Sequence, residues 1–198
     1  MPSGTGTGTL LENYPDRFWD VAICEQHAVT SMAALAKEGF RPVVAIYSTF
    51  LQRAYDQIVH DVALQKLPVA FAIDRGGIVG EDGETHQGAF DISYLRSIPN
   101  IEIFAPRDSA TLEMALEYAV STESPSAFRY PRGAFLEDGC YAPSPFETSK
   151  AEILVNGQDD MLFIGYGNGV GRGSAVLKIL ANDGIYPSLL DLRFIKPF

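Results

Sequence analysis

Apolar positions along the chain switch repeatedly between two periods. Val21-Ala22-Ile23 is a short apolar run that predicts a buried strand, and the small-residue pattern from Ala28 to about Glu38 predicts a helix. Gly39 suits a helix C-cap, and residues 42–47 read as a second strand. Residues 50–66 predict one long helix, with Leu51, Tyr55, Ile58 and Val62 on one face and Arg53, Gln57 and Asp61 on another. Leu67-Pro68 ends it. Strands follow over 69–73, 101–104 and 126–130, with a helix over 109–120. Alternating strands and helices predict an α/β fold: a parallel sheet with helices on both faces.

The pattern dissolves between Gly133 and Lys150, where Pro143-Ser144-Pro145 reads as a linker. Strands near 153–155, 161–164 and 188–192 and a helix over 171–181 follow it. The expected organisation is a lead-in over 1–14, a first domain over 15–134, a linker over 135–150 and the beginning of a truncated second α/β domain over 151–198. The alternative is that the last segment extends the first sheet. The Gly/Thr alternation of residues 4–9 reads as a flexible lead-in.

Composition narrows the partners. Apolar residues make up 46%, enough for a packed core. The net charge of −10, without a basic run, argues against nucleic acid and anionic membrane. No apolar run reaches membrane-span length. Cys24 and Cys140 have neither metal-type spacing nor a disulfide framework, which fits a reducing cytoplasm.

Several residues could carry chemistry. Glu25 stands at a strand-to-helix junction, where a helix N-terminus favours a carboxylate. The stretch 76–88 holds five glycines in thirteen positions directly after a strand. In it Asp82, Glu84 and His86 alternate, so an extended loop would present them on one side. His86 suits acid–base or hydrogen-bonding work better than metal ligation. An ordinary surface loop is the alternative. Arg75 and Arg132 end predicted strands and Arg53 lies near the same edge, a set suited to an anionic small ligand or to surface ion pairs. Spacing alone favours Phe50 as a core residue. The alternating glycines from Gly165 to Gly173 do not fit a dinucleotide fingerprint.

Val21 to Ala28 and Ile46 to Gln57 resemble the 1-deoxy-D-xylulose-5-phosphate synthase family. So do Asp74-Arg75, the loop from Gly80 to Gly88, Ser93 to Pro99 and Arg129-Tyr130-Pro131-Arg132-Gly133. The likeness runs from about Pro15 to the end. It implies a thiamine diphosphate-binding fold of pyrimidine type. The implied cofactors are thiamine diphosphate and Mg²⁺. The implied reaction joins pyruvate to glyceraldehyde 3-phosphate with loss of CO₂ and feeds isoprenoid, thiamine and pyridoxal synthesis. By the resemblance, Glu25 hydrogen-bonds the cofactor's aminopyrimidine and Phe50 moves from core residue to stacking platform. Arg53 lies at the cofactor edge, and Tyr47, Arg75 and Arg132 hold substrate. Asp82 and His86 form a polar pair beside it.

The resemblance also has a gap. The family's Mg²⁺ and diphosphate domain, with its Gly-Asp-Gly motif, has no match, so no metal ligand is expected in this chain. Glu81-Asp82-Gly83 belongs to the substrate loop. A fragment without turnover of its own is therefore expected, in a homodimer or higher oligomer because a sheet facing an absent domain exposes apolar surface. The alternatives are a pyrimidine-binding subunit of another thiamine enzyme, of transketolase or 2-oxo acid dehydrogenase β type, and a non-catalytic pairing module.

Overall fold

The computed structural model describes residues 2–136 and 141–198. Cys140 lies outside the described residues, so only Cys24, free and exposed, can be placed. The first part runs α1 (Gly8–Asn13), α2 (Glu25–Lys37), β1 (Val43–Tyr47), α3 (Ser48–Leu51), α4 (Tyr55–Gln57), β2 (Ala70–Asp74), α5 (Asp91–Ser97), β3 (Glu102–Phe104), α6 (Ser109–Ser121) and β4 (Ser126–Arg129). Then come β5 (Glu152–Val155), β6 (Leu162–Gly165), α7 (Gly169–Ala181), β7 (Ser188–Asp191) and β8 (Phe194–Lys196).

The strands form two sheets. One has the order β1-β2-β4-β3-β8, with β1 to β4 parallel and β8 antiparallel to β3. The other has the order β5-β7-β6, with β6 and β7 parallel and β5 antiparallel to β7. The last segment thus builds a sheet of its own and also lends one strand to the first.

The central strand β2 shows why the first sheet is covered on both faces. Phe71 and Ile73 join Val29 and Ala33 of α2 in one core cluster. Ala70 and Ala72 join Ala115 and Ala119 of α6 in the other. A strand of period two buried on both sides must be apolar throughout, as this one is until Asp74. Burying each large side chain, such as the fully enclosed Phe71, contributes about 1.5–3 kcal/mol. A capping box starts α6: Asp108 Oδ1 accepts from the Thr111 backbone N–H at 2.8 Å.

Several expected elements take another form. Residues 21–23 are not a strand: Asp20 Oδ1 accepts from Ala22 N–H at 3.0 Å and turns the chain. Ala22 has φ 53° and Ile23 is 73% exposed. The long helix over 50–66 is broken into α3, a 3₁₀ turn at Gln52–Ala54, α4 and a π-helical turn at Ile58–Ala63. Leu51, Ile58 and Val62 are buried as expected, but Tyr55 is 40% exposed. The Gly/Thr lead-in carries α1, and the Gly4 carbonyl accepts from Arg75 Nη1 at 2.9 Å. Helix α5 and strand β8 had no counterpart in the sequence pattern.

Arg107 joins the two sheets. Its side chain is 2% exposed and meets Glu152 Oε2 at 2.8 Å and Asp191 Oδ2 at 3.1 Å. Burial pushes the Asp191 carboxyl up, and the Arg107 hydrogen bond works against that push. Among the described residues, no helix is long and apolar enough to cross a membrane.

Candidate functional site

The carboxyl ends of β1, β2 and β4 deliver most of the candidate residues to one edge of the sheet, where open α/β folds keep their ligands. Tyr47 ends β1, and Phe50 lies in the helical turn that follows. Arg75 follows β2, and Arg132 lies just beyond β4. Glu25 comes from the first turn of α2.

Glu25 is 7% exposed. Its Oε1 accepts from Arg53 Nη1 at 2.8 Å, while Oε2 is buried and accepts no hydrogen bond among the described residues. A buried carboxylate oxygen without a donor is costly, so an arrangement that keeps one points to a ligand. The Arg53 guanidinium also lies over the Phe50 ring, 4.8 Å from its centroid. The break in the long helix re-aims the residues around Arg53, and such irregular turns concentrate at working sites.

Phe50 is only partly buried and belongs to neither core cluster. Its ring stacks on Tyr47, with centroids 5.6 Å apart and planes 16° from parallel. The His86 imidazole meets it edge-on at 5.1 Å. Tyr47 is itself buried, and Arg75 covers its other neighbourhood at 3.8 Å from the ring centroid. Burial pushes the Tyr47 phenol up, against the lowering effect of Arg75.

Asp82 bridges the two arginines. Its Oδ2 accepts from Arg75 Nε at 2.8 Å and its Oδ1 from Arg132 Nε at 2.7 Å. The Arg75 bond, with help from Arg132, holds the Asp82 carboxyl below the usual range. Asp74 Oδ2 takes Arg75 Nη1 at 2.7 Å, and burial pushes the Asp74 carboxyl up despite that partner. Burial alone would lower the Arg75 guanidinium, but its Asp82 and Asp74 partners raise it. Arg75 also has φ 58°, an uncommon value outside glycine.

The loop after β2 is not extended. It folds into two short 3₁₀ turns, Gly80–Asp82 and Glu84–His86, so the alternation of Asp82, Glu84 and His86 does not set them on one side. Asp82 goes to the arginines and His86 to the aromatic pair, with His86 Nδ1 2.9 Å from the Thr85 hydroxyl. No group of three potential metal ligands occurs among the described residues. His60 is exposed on the π-helical turn, beside Asp61.

The structure therefore gathers two neighbouring groups. One is Glu25, Arg53 and Phe50, and the other is Tyr47, Arg75, Asp82 and Arg132, with His86 between them. Sequence reasoning did not single out the buried pair Asp91–Arg129 beneath the loop. Its only signal was an aspartate just after the glycine-rich stretch and an arginine at a strand end.

Residues 1–136 match the family described as transketolase, pyrimidine binding domain. A 1-deoxy-D-xylulose-5-phosphate synthase of Nitratiruptor sp. is 64% identical over 197 residues, covering 100% of this chain and 32% of that protein. The synthase of Helicobacter hepaticus is also 64% identical, over 199 residues, with the same coverage of 100% and 32%. The chain thus spans about a third of the length of these curated relatives. Among solved structures, a split-gene transketolase described as an inactive β4 tetramer superposes with a TM-score of 0.85 at 26% identity. The match covers 98% of this chain and 63% of the other.

Proposed function

The chain belongs to the transketolase pyrimidine-binding domain family, and on that premise we propose that it is the pyrimidine-binding part of a thiamine diphosphate-dependent 1-deoxy-D-xylulose-5-phosphate synthase. The reaction would be the condensation of pyruvate with glyceraldehyde 3-phosphate with loss of CO₂, supplying isoprenoid, thiamine and pyridoxal synthesis in the cytoplasm. The observation that carries this reading is Glu25, with one oxygen on Arg53 and the other buried without a donor, next to an aromatic platform.

The residues present suit the pyrimidine half of that cofactor. Glu25 Oε2 would accept a hydrogen bond from the aminopyrimidine, Phe50 would offer a ring face and Arg53 would border it. Bound there, thiamine diphosphate would supply an acidic carbon nucleophile and an electron sink for decarboxylation. The protein's share is orientation and charge. Glu25 would orient the ring by the hydrogen bond that its free oxygen accepts. Arg75 and Arg132 present guanidiniums to a phosphate or carboxylate. Tyr47 and His86 border the space between these groups, where the His86 imidazole would offer a hydrogen bond to a substrate oxygen. Mg²⁺ and diphosphate ligands would come from the additional length of the longer enzyme. The exposed Trp19, Ile23, Ile78 and Phe90 support assembly into a homodimer or higher oligomer.

A second reading is favoured by the split-gene relative. That protein is described as a split-gene transketolase in an inactive β4 tetramer and is covered to 63% by this chain, so in this reading the chain is a separate pyrimidine-binding subunit. The identities of 64% against 26% favour the synthase.

The test is a chimera in which residues 1–198 replace the matching third of the Nitratiruptor protein. We expect deoxyxylulose phosphate from pyruvate and triose phosphate, and none from the 198-residue chain alone. A chimera that folds and binds thiamine diphosphate but uses only ketose donors would favour a transketolase instead.

A further inference from the structure

The loop that carries Asp82 and His86 leaves β2 after Arg75 and is pinched at its neck. Gly77 N–H donates to Gly88 O at 2.9 Å, and Gly88 N–H donates to Gly77 O at 2.8 Å. Below the pinch lies Arg129, the last residue of β4. Its Nε donates to Asp91 Oδ2 at 2.7 Å and its Nη2 to Asp91 Oδ1 at 3.3 Å. The Asp91 side chain is 1% exposed and that of Arg129 15%. A guanidinium held at two points by a buried carboxylate has little freedom to swing.

Gly76, the first residue of the neck, rests on that guanidinium. A methyl group built on Gly76 would lie 2.9 Å from Arg129 Nη2 and 3.0 Å from Cζ. Gly76 N–H also donates to the Tyr130 carbonyl at 2.8 Å, so its backbone is fixed from the same strand. Its φ is not in the left-handed region, so an added methyl meets the Arg129 guanidinium and not backbone strain.

We propose that Arg129, pinned by Asp91, is a positioning residue that seats the neck of the loop at Gly76. Through the neck it sets where Asp82 meets Arg75 and Arg132. The loop geometry stands by itself, while its kinetic consequence rests on the function proposed above. The pair does not touch the reacting groups. It acts by keeping the Asp82 bridge in register, which arranges the two arginines before an anion arrives.

The test uses Arg129→Lys, Gly76→Ala and the double variant in the 198-residue chain, read by amide hydrogen exchange. Each single variant should speed exchange at Gly77 and Gly88 about ten-fold by loosening the neck locally, while Phe71 and Ala72 in β2 stay protected. The double variant should exchange no faster than Arg129→Lys, because lysine leaves room for the added methyl. Unchanged exchange in both single variants, or additive effects in the double, overturns the proposal. If Arg129→Lys also releases β2, Gly76→Ala decides by the same two amides, since it removes neither side chain of the ion pair.

In the chimera, Gly76→Ala should raise KM for the anionic substrate that Arg75 and Arg132 would hold and leave kcat near the parent value. A fall in kcat with both KM values unchanged overturns the positioning role. Normal turnover of a Glu25→Ala chimera would sink the functional reading and leave the exchange result standing.

Discussion

Arg53 bridges Glu25 and Phe50: Nη1 donates to Glu25 Oε1 at 2.8 Å while Cζ lies 4.8 Å from the Phe50 ring centroid. A planar cation thus already contacts both the carboxylate and the ring that the proposed function assigns to the aminopyrimidine. Glu25→Gln keeps the shape and removes the charge that orders both partners. The loss of turnover in the chimera should be about 10²-fold or more, the scale on which a positioned proton-transfer group acts. The melting temperature of the chain should move little, because relief of a buried charge offsets the lost ion pair. Turnover within a factor of two of the parent would remove Glu25 from the mechanism.

The Tyr47–Phe50 stack supports a second prediction. Replacing Phe50 by leucine keeps apolar volume and removes the flat face. Stacking contributes about 0.5–1.5 kcal/mol beyond burial, so thiamine diphosphate should bind the chimera roughly two- to twelve-fold more weakly. Isothermal titration checks this, with kcat at saturating cofactor expected to stay near the parent value.

Much of the first sheet was legible because its strands obey period two and its helices bury small residues. Ala70 to Ile73 reads as a two-sided strand from composition alone. The same apolar signal misled at residues 21–23, where Asp20 turns the chain and Ile23 stays exposed. Nothing local distinguishes an apolar run that meets a core from one that does not. Helix α5 is seven residues long and follows the glycine-rich loop, too short for periodicity to register. Strand β8 forms by pairing with β3, far away in sequence, and its one strong anchor is the buried Phe194. At the site, strand ends pointed to Arg75 and Arg132, while Glu25 was found from a helix start, the strand expected before it being absent. The Arg53–Glu25 bond spans 28 residues and depends on an irregular helix, so spacing could not give it. The Asp82 bridge likewise depends on how a glycine-rich loop closes.

That bridge has a pH signature. Arg75 and Arg132 hold the folded Asp82 carboxyl below its ordinary value, and an unfolded aspartate titrates at about 3.9. Stability from the bridge is therefore complete above that unfolded value and fades as pH falls through the lower folded one. Asp74 shifts the other way, pushed up by burial, so its contribution is present at low pH and is lost as pH rises through its folded value. Carboxyl-carbon NMR on the chain should resolve the Asp82 and Asp74 signals displaced in opposite directions. In Asp82→Asn the signal assigned to Asp82 should vanish, and the Arg132 side chain should become mobile at every pH. An Asp82 signal that titrates in the ordinary range would contradict the bridge.

Arg107 gives the sharpest stability prediction because three carboxylates converge on one enclosed guanidinium. Asp108 Oδ2 lies 3.2 Å from its Nε, and Glu152 and Asp191 take Nη1. Its Nη2 faces the Tyr141 and Ala142 carbonyls, so the segment entering β5 is tied to the same point. Arg107→Met keeps the length of the side chain and leaves Asp191, 2% exposed at its side chain, without its cation. Breaking a buried pair from one side costs about 3–5 kcal/mol, so the urea midpoint of the chain should fall sharply. The loss should also be uneven. Leu189 and Leu190 of β7 should lose exchange protection before Phe71 of β2, because the contacts Arg107 makes run between the sheets and not within the first. A uniform loss across both sheets would mean that they unfold as one unit and that Arg107 is only one contact among many.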